Sequence, residues 1–323
     1  MLLSVIIVSY NTKDLTIQTI TSVAQSIKNS KLLSNQLEII VVDNDSKDGS
    51  QAAITALAKK ISTPVLLIKN TENLGFGVAN NIGSTKARGK YYLFLNSDTI
   101  VSKNTIENMV KRFIENAKET DTTKKKLGIL APALLNIDHS YQPQGGSFPT
   151  LSALFFQMSM LDDLPIVGRF FPSTQHTGKA NQLTLEILDH YTDLIPFDWV
   201  GGTAMMVSKE AIDTFGPFDQ NIFMYAEDVE ICLRANNHHY QVALDPTARI
   251  IHLQNASSSS KHAITGEYAG YLYIFSKHHS TFATALARVI LQYGALLRIF
   301  LFSTIAVNKQ KAEIYKAVLH DLS

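Results

Sequence analysis

Asp98 closes the run Leu93-Phe94-Leu95-Asn96-Ser97-Asp98, in which apolar residues give way abruptly to polar ones. At the carboxyl end of a buried strand, where α/β sheets take their ligands, a carboxylate can hold a divalent cation through oxygen. The same Asn-Ser-Asp could form an ordinary turn, so its meaning depends on the residues around it. Ser9-Tyr10-Asn11 ends the first apolar run, and Asp43 ends the second, directly after four apolar residues. Asp43 could accept hydrogen bonds from a base N–H or from ribose hydroxyls, while Asn11 could meet a base edge in both senses. Asn73-Leu74-Gly75-Phe76-Gly77 follows the third run. Its glycines permit close backbone approach, and a helix N-terminus there could help to hold a diphosphate. Asn80 stands where a dinucleotide fingerprint needs its third glycine, which argues against an oxidoreductase.

Further along, Tyr225-Ala226-Glu227-Asp228-Val229-Glu230 puts three acids in four positions at an expected helix start. The helix dipole favours carboxylates there, yet capping needs fewer, and one could serve as a general base. His252 follows Ile250-Ile251 at the end of a late strand, within reach of a metal or a phosphate; a structural core histidine is the plain alternative.

These groups need a sheet to position them. Apolar runs at 4–10, 37–43, 65–69, 91–96 and 127–134 read as strands. Between them, Leu15/Ile20/Val23/Ile27, Ile54/Leu57/Ala58 and Ile106/Val110/Phe113/Ile114 recur at helical spacing. Strands that are apolar throughout, with helices between, imply a mostly parallel, doubly wound sheet covered on both faces. Residues 137–196 read as an irregular, substrate-facing insertion, and 257–260 as a serine tract. A strand pair or hairpin is expected over 197–207, helices over 209–215 and from about 227, and strands over 240–244 and 248–252.

Composition narrows the class. The chain has 323 residues and a net charge of +1, with no basic stripe of the kind that would bind nucleic acid. Its one cysteine, Cys232, sits among apolar neighbours and reads as a buried residue, excluding a disulfide framework and fitting a reducing cytoplasm. The N-terminus lacks the basic region and cleavage site of a signal peptide. Residues 281–307 are strongly apolar but contain Arg288, Gln292 and Arg298. A charged residue at the bilayer centre costs roughly 2.5–3.5 kcal/mol, so an amphipathic helix lying in the membrane plane, with its basic residues at the headgroups, is expected instead of a spanning one. A helix docked on the protein or on a second subunit is the alternative.

Taken in order, these motifs resemble family 2 glycosyltransferases of the rhamnosyltransferase-like branch, over about residues 3–259. The carriers are Val5-Ile6-Ile7-Val8-Ser9-Tyr10-Asn11, Val41-Val42-Asp43-Asn44-Asp45-Ser46, Asn73-Leu74-Gly75-Phe76 with Asn81, Leu95-Asn96-Ser97-Asp98-Thr99, Trp199-Val200-Gly201-Gly202, Tyr225-Ala226-Glu227-Asp228-Val229-Glu230, and His252. The resemblance implies a GT-A fold over 1–255, with a nucleotide-binding half (1–135) and an acceptor-side half (136–255), followed by a helical tail (256–323). It implies that Ser9, Tyr10, Asn11 and Asp43 contact the nucleoside, with Asn73, Gly75 and Asn81 shaping that pocket. Asn96 and Asp98 match the family's metal-binding Asp-X-Asp, with Asn at its first position, and His252 could complete a Mg²⁺ or Mn²⁺ site. Asp228 matches the catalytic base, and Trp199, Gly202 and Glu227 fall on the acceptor side. Ser97 stands where the branch often has Pro, Glu230 replaces a common Asp, and Asn237-His238-His239-Tyr240 stands where a Gly-Tyr pair is usual.

The implied activity is inverting transfer of a sugar from a nucleotide sugar, with dTDP-L-rhamnose the favoured donor and UDP-linked hexoses or galactofuranose the alternatives. The acceptor would be a lipid-linked or cell-surface glycan, assembled at the inner face of the cell membrane in cell-wall or polysaccharide synthesis. Two other classes stay open: a sugar nucleotidyltransferase, which would need a Gly-rich basic loop where Tyr10-Asn11-Thr12-Lys13 stands, and a non-catalytic nucleotide-sugar-binding scaffold.

Overall fold

The computed structural model describes residues 1–121, 123–162, 164, 174, 183–254 and 260–323. Residues 257–259 of the serine tract and part of the 137–196 insertion lie outside the described residues. Elements are numbered in chain order. The first apolar runs become the parallel strands β1 (Leu3–Ser9), β2 (Leu37–Asp43), β3 (Val65–Lys69) and β4 (Tyr91–Asn96), side by side as β3-β2-β1-β4. Their helices are α1 (Lys13–Ser26), α2 (Ser50–Ala58), α3 (Phe76–Lys86) and α4 (Thr105–Asn116).

Successive strand residues point to opposite faces, and both faces of β1 are covered. Leu3, Val5 and Ile7 share a core with Ile20 and Val23 of α1, Ile54 of α2, and Ile106 and Val110 of α4. Ile6 faces α3, so closely that a Cβ on Gly83 would lie 2.5 Å from its Cγ2. This two-sided burial is why the strands lack polar alternation.

Beyond β4 the sheet is mixed instead of mostly parallel. β9 (Ala204–Ser208) runs antiparallel to both β4 and β6 (Lys126–Leu135), β10 (Tyr240–His252) runs parallel to β6, and β5 (Thr99–Val101) is antiparallel to β10. The order is β3-β2-β1-β4-β9-β6-β10-β5, with the two-residue strands β7 (Tyr141–Gln142) on β6 and β8 (Ile195–Pro196) on β10. The strand pair expected over 197–207 is therefore a single strand whose partners come from elsewhere in the chain. The two strands expected over 240–252 are one, interrupted by a bulge: Asp245 pairs with Pro132 and Arg249 with Ala133, leaving 246–248 extra. Asp245 locks that bulge, accepting from the Thr247 amide at 3.0 Å and hydroxyl at 2.7 Å, and from Arg112 at 3.3 Å.

The chain forms two compact units. One comprises Met1–Gln144, Leu183–Phe223 and Asp228–Ser257, and holds the sheet together with α6 (Leu185–His190) and α7 (Lys209–Phe215). The helix α8 (Glu227–Asn237) belongs to it from Asp228 onward. The other comprises Gly145–Gln182, Met224–Glu227 and Ser258–Ser323. It contains α5 (Leu151–Met158), α9 (Ser260–His278), α10 (Thr281–Phe300), a π-helical turn (Leu301–Ile305) and α11 (Lys309–Asp321).

This second unit has its own core, with Leu154, Met158, Tyr271, Phe275, Leu291 and Val318 among its members. The headgroup role expected for the arginines does not hold. Arg298 donates to the carbonyls of Met158 at 2.7 Å and Gln157 at 3.0 Å, while Arg288 donates to Leu322 at 2.7 Å, joined there by Gln292 at 3.1 Å. These groups satisfy helix-end carbonyls inside the bundle.

Candidate active site

The carboxyl ends of β1, β2 and β4 lie at one edge of the parallel sheet and carry Ser9, Tyr10, Asn11, Asp43, Asn96 and Asp98. The loops after β1 and β2 are tied together: the Asn11 amide donates to Ser46 Oγ at 2.9 Å, and Asn11 Oδ1 accepts from the Lys47 amide at 2.7 Å. Asn11 takes a left-handed backbone (φ 53°), and its neighbour Tyr10 leaves its ring 39% exposed. Ser9 is fully buried and turned inward, within 2.9 Å of Thr16 Oγ1. Thr12 carries the hydroxyl chain on, donating to Ser97 Oγ at 3.0 Å. The Ser9 hydroxyl thus braces α1.

Asp43 is completely buried. Its Oδ1 accepts from the Ser46 amide at 3.1 Å and from Gln51 Nε2 at 2.8 Å, while Oδ2 has no partner. A buried carboxylate oxygen without a donor is costly, and a ligand N–H or O–H would relieve it. Asn73 and Gly75 form the neighbouring wall. Asn44 Nδ2 donates to Asn73 Oδ1 at 3.1 Å and to the Gly75 carbonyl at 3.2 Å, while Asn44 Oδ1 accepts from Asn70 at 2.7 Å. Gly75 has φ 81°, and any Cβ there would run into the Phe223 carbonyl, which accepts from the Phe76 amide at 3.0 Å. Asn81 sits apart from this wall and grips the Phe218 backbone on both sides, donating at 2.7 Å and accepting at 3.0 Å.

Asp98 and His252 meet across the β5–β10 pairing, in which His252 lies opposite Thr99. Asp98 Oδ1 is 3.4 Å from His252 Nε2, and both side chains are nearly buried. The other ring nitrogen, Nδ1, is 3.2 Å from the Gln142 amide group, which leaves Nε2 turned toward Asp98. Asn96, at the end of β4, is partly buried and anchors the loop through its backbone, receiving the Thr99 hydroxyl at 3.0 Å on its carbonyl.

Asp228 lies in the first turn of α8, where two backbone amides hold it: Gly202 donates to Oδ2 at 3.1 Å and Val229 to Oδ1 at 2.8 Å. Burial pushes its carboxyl above the usual range, and the amides pull it only part of the way back. A Cβ at Gly202 would be in ordinary contact with Phe76 at 3.4 Å and the Asp228 Cβ at 3.7 Å. Trp199 is half-buried just ahead of it. Glu227 is buried and groups with the helical unit, not with the sheet.

Of the three acids, Glu230 is a fastener. Fully buried, it takes Arg234 Nη2 at 2.7 Å, and Arg234 also donates to the carbonyls of Phe215, Gly216 and Pro217. Cys232 is buried, and burial pushes its thiol upward, far from a nucleophile's range. Sequence reasoning missed Gln51, Asn44 and Gln142 as organisers of the site. Asn44 stood within a quoted motif, but the two glutamines meet Asp43 and His252 only through folding and carry no local signal.

Residues 4–125 match the model of the family described as glycosyl transferase family 2. N-acetylglucosaminyl-diphospho-decaprenol L-rhamnosyltransferase of Mycobacterium tuberculosis is 24% identical over 156 residues, covering 47% of this chain and 47% of that protein. Rhamnosyltransferase WbbL of Escherichia coli is 26% identical over 193 residues, 58% of this chain and 63% of that one. The chain thus matches about half to three-fifths of the length of these relatives. Among solved structures, the mannosyltransferase PcManGT from Pyrobaculum calidifontis, in complex with GDP-Man and Mn²⁺, superposes with a TM-score of 0.56 at 15% identity, covering 99% of this chain and 85% of that one.

Proposed function

We propose that this chain, whose residues 4–125 match the family 2 glycosyltransferase model, transfers a sugar from a nucleotide sugar to an acceptor hydroxyl with inversion. The observation that carries this reading is Asp228. Burial raises the proton affinity of its carboxylate, and two amides aim and retain it at the start of a helix. That combination suits a general base, which must be ionised at rest and willing to take a proton. Asp228 accepts the acceptor hydroxyl's proton as that oxygen attacks the anomeric carbon. The bond from this carbon to the diphosphate oxygen breaks, and its electron pair leaves with the nucleotide. No enzymic nucleophile is required.

The unpartnered Oδ2 of Asp43 supports nucleoside binding at the end of β2, with Tyr10 exposed alongside as a surface for the base. Asp98 and His252 offer one carboxylate oxygen and one imidazole nitrogen 3.4 Å apart, and no cluster of three or more metal-binding acids, histidines or cysteines occurs among the described residues. Such a small donor set fits Mg²⁺ or Mn²⁺, which commonly take their other ligands from water and substrate phosphates. When bound there, the ion would neutralise negative charge on the departing diphosphate.

Two relatives are rhamnosyltransferases by name, which favours dTDP-L-rhamnose as donor over UDP-linked hexoses. The decaprenol diphosphate in one of those names favours a lipid-linked acceptor handled at the inner face of the membrane. Asp228→Asn is expected to abolish transfer while leaving nucleotide affinity, read by calorimetry with Mn²⁺, within about twofold, because the substitution removes a proton acceptor and not a binding surface. Surviving transfer would remove Asp228 from the base position. Transfer by the unaltered chain, absent with every nucleotide sugar while binding persists, would favour the scaffold instead.

A further inference from the structure

Within the helical unit, one face of α10 is left uncovered. Phe282, Leu286, Val289, Tyr293, Leu296 and Phe300 are each between 39% and 73% exposed. Their spacing alternates four and three residues, so they form one continuous stripe. The opposite face, with Ala287, Leu291 and Ala295, is buried in the bundle core. Phe155 of α5 stacks on Tyr293 with ring centroids 6.2 Å apart and widens the stripe. Beyond α10, Ile305 and Val307 continue the apolar surface.

Charge tells what this face meets. Between residues 281 and 307 the only charged side chains are Arg288 and Arg298, both held by carbonyls of the bundle. Helices paired through such a seam in water usually flank it with charged residues. Here the flanks are Ala285, Ile290, Gln292 and Leu297. Lysines appear only past the ends, with Lys277 before the helix and Lys309 and Lys311 after it, all exposed. Residues 258–323 hold seven Lys and Arg against three Asp and Glu, whereas the whole chain is nearly balanced at 29 to 28.

We propose that this face of α10 lies in the interfacial layer of an anionic phospholipid bilayer, with the helix along the surface and the lysines at either end meeting lipid phosphates. The segment Thr281–Ile305 is long and apolar enough to cross a membrane. Its inner face, however, is fastened to the bundle by the two arginines, so the in-plane arrangement keeps every one of those hydrogen bonds. The inference does not rest on the sugar-transfer reading.

Flotation of the full chain with vesicles tests it. The protein is expected to float with phosphatidylcholine vesicles containing phosphatidylglycerol, and less with phosphatidylcholine alone. Val289→Glu combined with Leu296→Glu should lower the bound fraction about tenfold or more. Lys309→Glu with Lys311→Glu should lower it less, and only on the anionic vesicles. As a second readout independent of folding losses, Val289→Cys can be labelled selectively with an environment-sensitive fluorophore, because Cys232 is buried. A blue shift on adding anionic vesicles is expected. Failure of the unaltered chain to float, or an unshifted label, overturns the proposal. So does a lipid-free dimer in sedimentation velocity that the glutamates dissociate, since the face would then belong to a second copy. Donor turnover measured on the same variants keeps any such failure separate from the catalytic reading.

Discussion

Three carboxylates of the candidate site, two at the sheet edge and one at a helix start, have different surroundings. Asp43 is sealed in with one oxygen unpartnered, Asp98 faces an imidazole, and Asp228 is clasped by amides while burial raises its proton affinity. In the proposed mechanism the last of these, Asp228, is the base. The sign of its pH effect follows. Since the carboxyl of Asp228 is pushed above its ordinary value of 3.8, lowering the pH protonates it before an unperturbed aspartate would be affected. Transfer should therefore fall with acidification along a limb of kcat/KM whose midpoint lies above 3.8. A rate still undiminished at that pH, in a protein shown to be folded, would contradict the assignment. At this scale the acids and His252 were readable as strand-end or helix-start residues. Their partners Gln51 and Gln142 were not: the first lies eight residues from Asp43 with no motif to mark it, and the second meets His252 from 110 residues away.

Elements were legible in proportion to their length and burial. β2, β3 and β4 fall on the boundaries that their apolar runs suggest, since each run is a whole strand bounded by polar residues. β7 and β8 have two residues each and exist only through their neighbours, so no periodicity could announce them. α5 was hidden in the insertion because Leu151–Met158 is apolar on nearly every side and shows no helical stripe. The acidic start of α8 needed the fold to separate roles, since Glu230 is spent on Arg234. That pair fastens α8 to the loop after α7 and is buried on the carboxylate side. Arg234→Met should destabilise the protein by about 3–5 kcal/mol, because the buried carboxylate of Glu230 would lose its guanidinium partner. Chemical denaturation measures this, and a loss below about 1 kcal/mol would show that water or another donor replaces the guanidinium.

At the scale of the whole molecule, the sheet unit and the helical unit each have a separate hydrophobic core. Composition suggested one large domain with an appendage; it could not show that residues 145–182 and 224–227 group with the tail, because that grouping joins three distant stretches of chain. Two cores predict two calorimetric unfolding steps, of which nucleotide with Mn²⁺ raises only the one belonging to the sheet. A single step whose calorimetric and van't Hoff enthalpies agree would mean that the units melt together. The bulge in β10 has a consequence of its own. Three surplus residues, 246–248, are pinned by Asp245 and separate the half of the strand that holds Val242 and Leu244 from the half that ends in His252; of the three, Ala248 is buried in the core. The bulge therefore works as an expansion joint. Lengthening or shortening the chain there would re-phase the histidine against Asp98 by whole residues, and would shift Ala248 and Ile250 within the core along with it.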